Sequence, residues 1–352
     1  MSSKKIGLGI VLLLLFLSVM GCGKNDTKKS NRNNEELVVV DWGGPYTEVH
    51  KKASFVPFEK EYGVKVTVVT PPDTGKLKAM VESGNVEWDV VSVGNDFAIR
   101  AGREGILERL DFDVISTEGL PEELVNDYAV PENLFSTVIA FNTDDFSADK
   151  YPRTWADFWD TENFPGPRSL YSSPMWTLES ALLADGVEPE DLYPLDVDRA
   201  FVKLDEIRDH VKVWWTAGAQ PPDLLSTNEV SLASAWSGRI TEANAEGAPV
   251  DLDFNQGIIF TNSWAVPKGS PNKELAMKFI AFTLEPEQQA ALSAVYDNAP
   301  ANSHALPLLS DEAVNRLGQS PDKQGQQVII NSEWWVDNFD EVDERFQQWL
   351  LE

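Results

Sequence analysis

Tryptophan is the residue type that carries the legible chemistry of this chain; nucleophiles and metal ligands are scarce. Twelve tryptophans occur among 352 residues, and three stand at loop roots: Trp42 before Gly43-Gly44, Trp236 before Ser237-Gly238, and Trp264 before Ala265-Val266-Pro267. A flat ring in such a place contacts apolar stems and attracts cations through its face. Arg239 follows Trp236 closely, and a guanidinium in a cleft reads a carboxylate bidentately. The competing reading has Arg239 facing solvent or paired with an acidic neighbour. Catalytic chemistry is thinly represented. His50, His210 and His304 are far apart, no His-Glu-x-x-His or cysteine cluster occurs, and neither a Gly-x-Ser-x-Gly elbow nor a phosphate loop is present. A glycosidase needs only two carboxylates, which an acidic chain supplies, but no pair stands out. The expectation is a binder that performs no chemistry and holds no cofactor or metal, with an extracellular glycosidase as the remote alternative.

The one cysteine, Cys22, has a different role. Lys4 and Lys5 precede an apolar run from Ile6 to Met20, closed by Val19-Met20-Gly21-Cys22, the small-residue spacing of a lipobox. The run is shorter than the roughly 20 residues of a spanning helix. Residues 1–21 therefore read as a signal peptide and 22–36 as a lipidated Cys22 with a polar leash. The expected location is the extracytoplasmic face of the cell membrane, reached only through the lipid anchor. The formal net charge of −28 is dispersed, which argues against nucleic acid or anionic lipid as partners. No disulfide is available after Cys22, and the chain reads as a monomer.

The elements that position these residues follow from the apolar pattern. Leu37 to Val40 is a strand buried on both faces. A Trp42–Tyr46 loop follows, then a helix from Glu48 to Tyr62 interrupted by Pro57 and ended by Gly63. Val64 to Thr70 alternates as a strand, 73–83 is helical, Trp88 to Val93 is a third strand, and 96–104 a third helix. Such alternation predicts a mostly parallel α/β sheet with ligands beyond the carboxyl ends of its strands. A second unit follows: a strand at 137–142, a helix at Trp155–Trp159 capped by Thr154, a strand after Gly166, helices at 178–184 and 198–207, and strands at 211–215 and 231–236. Gly257 to Val266 returns as a strand, 272–284 as a helix, and 333–351 closes the chain as an aromatic-rich helix.

Several motifs in this order resemble one family. Val40-Asp41-Trp42-Gly43-Gly44, Tyr62-Gly63-Val64-Lys65-Val66, Trp88-Asp89-Val90-Val91, Glu104-Gly105-Ile106-Leu107, Asn142-Thr143-Asp144, Phe164-Pro165-Gly166-Pro167-Arg168, Trp236-Ser237-Gly238-Arg239 and Trp264-Ala265-Val266-Pro267-Lys268-Gly269 are similar to the spermidine/putrescine-binding branch of the extracellular solute-binding proteins. The resemblance covers nearly the whole chain after the leash. It implies an α/β, two-lobed, type II periplasmic-binding-protein-like fold that closes on a small molecule and delivers it to an ABC permease. Lobe 1 is expected at 37–139 plus 263–312 and lobe 2 at 140–262 plus 313–352. The crossovers should lie near Ile139–Asn142 and Phe260–Ala265, with Trp42, Asp96 and Trp236 at the cleft rim.

The resemblance also implies a site. It places ligand contacts at Trp42, on the loop after the third strand (Gly94, Asn95, Asp96) and at Trp236; the further candidates around them are Gly43, Gly44, Tyr46, Trp176, Arg239, Phe260, Asn262 and Asn298. Two departures bear on the ligand. Ser172-Ser173-Pro174-Met175-Trp176 contains no carboxylate, and the hinge-side aspartate of the family stands here as Asn262. Burying an ammonium without a counter-charge is costly. The main expectation is a small amine-bearing, polyamine-like solute with Asp96 as ammonium partner. The alternative is an amino-acid-like or carboxylated solute, such as a ω-amino acid, held by Arg239.

Overall fold

The computed structural model describes residues 36–147, 149–318, 323 and 325–352. The expected signal, Cys22 and all of the leash before residue 36 lie outside them. Among the described residues no helix is long and apolar enough to cross a membrane.

Among the described residues ten strands form one hydrogen-bonded sheet: β1 Glu36–Val40, β2 Lys65–Val69, β3 Val90–Gly94, β4 Ala129–Asn142, β5 Arg168–Tyr171, β6 Val211–Trp215, β7 Leu232–Trp236, β8 Val250–Ala265, β9 Ala299–Pro300 and β10 Val328–Ile329. The order is β2-β1-β3-β8-β4-β7-β5-β6, with β10 beside β8 and β9 beside β4. The expectation of a mostly parallel sheet is corrected to a mixed one. β1, β2 and β3 are parallel, as are β5, β6 and β7, but β4 and β8 run antiparallel to each other and to their neighbours β7 and β3.

The two long strands divide the molecule without breaking the ladder. β3 pairs with β8 only over Gly94↔Asn262 to Val91↔Ala265, and β7 pairs with β4 only over Thr137↔Trp236 to Phe141↔Leu232. Between Thr137↔Ile258 and Ile139↔Asp253 the register of β4 against β8 shifts, with Gln256 in left-handed backbone. The displaced segment is pinned from outside: the Trp155 indole N–H donates to the Gln256 carbonyl at 2.9 Å. Each half thus builds on opposite ends of the same two strands. Hydrogen bonding therefore continues from one half to the other through these two strands.

Both faces of each half are covered, as a continuous apolar strand requires. Val38 and Val40 pack with Leu77, Phe97 and Ala98 of the helices Thr74–Ser83 and Asn95–Arg103. Leu37 and Val39 pack on the other face with Phe55, Phe58 and Phe279. The helix over Gly44–Tyr62 opens into a π-turn at Lys51–Phe55, directly before Pro57. That wider turn accommodates a residue with no N–H to donate and a ring that crowds the preceding turn. In the second half, Trp155, Phe158, Leu178, Leu182 and Phe201 share a core with Trp335, Phe346 and Trp349 of the C-terminal helix Ser332–Leu351. Thr154 caps the helix Trp155–Trp159 as expected, with Asp157 closing a reciprocal capping box.

Candidate ligand-binding site

The parallel strands of both halves end at one cavity of about 480 Å³. β1 leads to Trp42, Gly43 and Tyr46, β3 ends at Gly94, β5 at Tyr171 and β7 at Trp236. The crossing strands supply Phe135, Phe260 and Asn262, and a late loop supplies Tyr296 and Asn298. This is the carboxyl-end position where open α/β sheets bind ligands.

Trp42 is set by the turn that follows β1. Its backbone N–H donates to Asp41 Oδ1 at 2.8 Å and its indole Nε1 to Ser92 Oγ at 2.8 Å, so the ring leans across β3 with 44% of its surface open. Gly43 takes φ +92°, a conformation that favours glycine, while its N–H reaches Thr47 Oγ1 at 2.9 Å. Asp41, fully buried, also accepts from Thr47 Oγ1 at 2.8 Å and pairs with His50 Nδ1 at 3.3 Å.

Tyr46 connects the cavity to a buried polar layer. Its hydroxyl donates to Glu132 Oε1 and accepts from Asn133 Nδ2, and Asn133 Oδ1 accepts from Asn298 Nδ2 at 2.8 Å. Burial pushes the Glu132 carboxyl up to about 7; nearby His50 works against that and the Asp41 charge adds to it. Burial works to lower the His50 pKa, but the Asp41 carboxylate outweighs it and holds the imidazole above its ordinary value.

Aromatic rings dominate the other wall. Trp176 stands at 82° to both Trp236 and Phe260, with centroids 6.1 and 5.2 Å away, and Phe135 meets Phe260 across the β4–β8 pair at 5.3 Å. Trp176 has φ +69°, in a turn that precedes the helical part of Pro174–Ala184. A non-glycine residue held in this region costs of order 1–3 kcal/mol and persists where packing over-determines it. The indole N–H groups of Trp176 and Trp236 are buried without a hydrogen-bond partner among the described residues. Gly218 is needed beside Trp236, since a Cβ there would lie 2.4 Å from the indole.

Ten of the sequence-expected residues line the cavity: Trp42, Gly43, Tyr46, Gly94, Trp176, Trp236, Arg239, Phe260, Asn262 and Asn298. Gly44, Asn95 and Asp96 do not. Asn95 is buried and structural, its Oδ1 accepting from Ser263 Oγ at 3.0 Å and its Nδ2 donating to Ser332 Oγ at 3.2 Å. The Asp96 carboxylate folds back onto its own helix terminus, accepting from the backbone N–H groups of Phe97 and Asp96 itself, although burial still raises its pKa. One carboxylate oxygen lies 2.7 Å from where a Cβ on Gly94 would be. Trp264 is no pocket wall either; it is buried against His50, Phe55 and Phe279. Phe135, Tyr171, Gly238 and Tyr296 also line the cavity.

The electrostatic balance of the lining is one-sided. Among the described residues that line it, Arg239 is the only ionised side chain, half-exposed and 3.4 Å from Glu242 on the next helical turn. Neither is a metal site in evidence: no group of three or more His, Cys, Asp or Glu side chains among the described residues could hold an ion.

An aromatic cleft shared by two half-sheets that meet on two crossing strands defines a two-lobed solute receptor. The model of the bacterial extracellular solute-binding proteins matches residues 53–318, and the chain belongs to that family. It is 36% identical over 326 residues to the gamma-aminobutyric acid-binding protein of Pseudomonas aeruginosa, covering 90% of this chain and 91% of that one. With the spermidine/putrescine-binding periplasmic protein of Escherichia coli it shares 26% identity, covering 87% and 88%. The solved structure of the Atu4243–GABA receptor superposes with a TM-score of 0.82 at 40% identity, covering 90% of this chain and 97% of that chain. The protein is a solute-binding protein of the ABC-transporter type. Of the two ligand expectations, the amino-acid-like one is better supported than the polyamine-like one.

Proposed function

We propose that this protein captures a small solute carrying both a carboxylate and a cationic end, of the ω-amino-acid type, and presents it to an ABC permease. The observation that carries the reading is the lining itself: one guanidinium, Arg239, among aromatic walls, with no carboxylate on the surface of the cavity. A diamine would bury two ammonium groups with no counter-charge, at a cost its aromatic contacts do not offset. A zwitterion has one end for Arg239 and an apolar stem for Trp42, Trp176 and Trp236. The similarity to a GABA-binding relative supports the same choice.

On this reading the protein performs no chemistry on its ligand, acts as a monomer, and is held at the membrane through lipidated Cys22. Its halves close about β4 and β8, near the expected division at 139/140 and 262/263, and closure expels water from the ligand. Calorimetry on protein unfolded and refolded to remove endogenous ligand tests the assignment against γ-aminobutyrate, 5-aminopentanoate, putrescine, spermidine and a neutral sugar. The ω-amino acids should give heat and the diamines none. Arg239→Gln should weaken ω-amino-acid binding by roughly 10- to 100-fold, the range for a hydrogen bond to a charged group. Heat from the diamines with no effect of Arg239→Gln would restore the polyamine reading.

A further inference from the structure

The buried lining atoms left without a partner among the described residues are donors. The Trp176 and Trp236 indole N–H groups are buried without partners, and Arg239 is a donor only. The Tyr46 hydroxyl is already spent, donating to Glu132 and accepting from Asn133. Asp96 is outside the lining, and its carboxylate accepts from its own helix terminus. What the lining offers a ligand's cationic end is ring faces and neutral oxygens, those of Asn262, Asn298, Tyr171 and Tyr296. A primary ammonium brings three N–H donors, each needing an acceptor, and loses its water on entry. A quaternary ammonium brings none; its charge is spread over methyl groups that ring faces attract and apolar contacts satisfy. A cavity of about 480 Å³ also leaves room beside a four-carbon chain for the bulkier head.

Building on the proposed function, we infer that the preferred ligand is a quaternary-ammonium carboxylate, a betaine of about the length of a ω-amino acid, with its trimethylammonium end among the rings and its carboxylate on Arg239.

The test is calorimetric titration of refolded, ligand-free protein with 4-(trimethylammonio)butanoate, 4-aminobutanoate and choline. The trimethylated carboxylate should bind at least tenfold tighter than the primary amine, and choline, without a carboxylate, far more weakly than either. Trp42→Ala, at the exposed rim, should reduce the preference for the trimethylated compound, and its thermal unfolding should match the parent's. Asp96→Asn should change neither affinity by more than threefold. Equal or tighter binding of 4-aminobutanoate overturns the inference but leaves the ω-amino-acid reading standing, as does selective loss of 4-aminobutanoate binding in Asp96→Asn. No binding of either carboxylate overturns both.

Discussion

The Tyr46 hydroxyl donates to the Glu132 carboxylate, so a ring in the cavity wall is fastened to a buried acid on one of the two strands shared by both halves. Burial holds Glu132 up near 7, above its ordinary 4.5, and Asp41 holds His50 above its ordinary 6.5. Both groups bind protons more tightly when folded than unfolded. Their stabilisation is therefore complete below the unfolded values and is lost as pH rises through the folded ones. Thermal midpoints measured from pH 4.5 to 9 should fall with rising pH across this window, by an amount equivalent to roughly 1–3 kcal/mol for Glu132. Glu132→Gln should flatten the fall between about 4.5 and 7; an unchanged slope would remove Glu132 as its source.

A second buried acid should add to the same trend from the other half. Burial raises Glu179 to about 7, and it accepts from Tyr193 and from the Trp335 indole at 2.6 Å each. Trp335→Phe removes one donor from a charge that cannot reach water. The loss in stability should be on the order of 2–4 kcal/mol at pH 8 and clearly smaller at pH 5, where the carboxyl is protonated. Urea unfolding at the two pH values measures the difference; equal losses would mean that packing alone is at stake.

Arg168 is fully buried and, among the described residues, has no carboxylate hydrogen-bonded to it; it donates instead to the carbonyls of Phe158, Asp160, Phe164 and Gly166. Burial lowers its pKa to about 10, which still leaves it charged at neutral pH. The planar fork spans acceptors that a lysine ammonium cannot. Arg168→Lys should cost about 2–4 kcal/mol in chemical denaturation. A loss below about 0.5 kcal/mol, the scale of an ordinary surface change, would show that the loop holds without the fork.

Asp96 and Arg239 should separate in binding. Asp96→Asn keeps an oxygen for the helix N–H groups and should alter ligand affinity less than threefold. Arg239→Gln should cost at least tenfold, as one charged hydrogen-bonding group is worth roughly 1.5–3 kcal/mol. Paired titrations of the two variants decide the order, and its reversal would return the ammonium to Asp96.

The strand and helix succession was legible because apolar runs such as Leu37–Val40 and Val211–Trp215 and the cap at Thr154 are local signals. β4 was read from Thr137 onward, yet it begins at Ala129. Pro131-Glu132-Asn133 looks like a loop because its burial depends on distant partners: Gln289 donates to the Glu132 carbonyl and Thr261 to that of Asn133. Phe135 was lost from the site with that stretch. The helix Ser237–Ala245 buries only Ser237 and Ile240, too few to write an apolar stripe. Composition shows a carboxylate at a cleft loop in Asp96 but not that its own helix terminus holds it outside the lining.

The C-terminal helix places Trp335, Phe346 and Trp349 in the same core as Leu178, Leu182 and Phe201, and Arg103 of the first half pairs with its Glu333 and Asp337. The second half therefore has no finished interior until this helix is in place. A chain released early would present an apolar trough to proteases and chaperones, while its first half had most of what it needs to close. Seating this helix is thus a condition for a finished second half, met before any solute is bound.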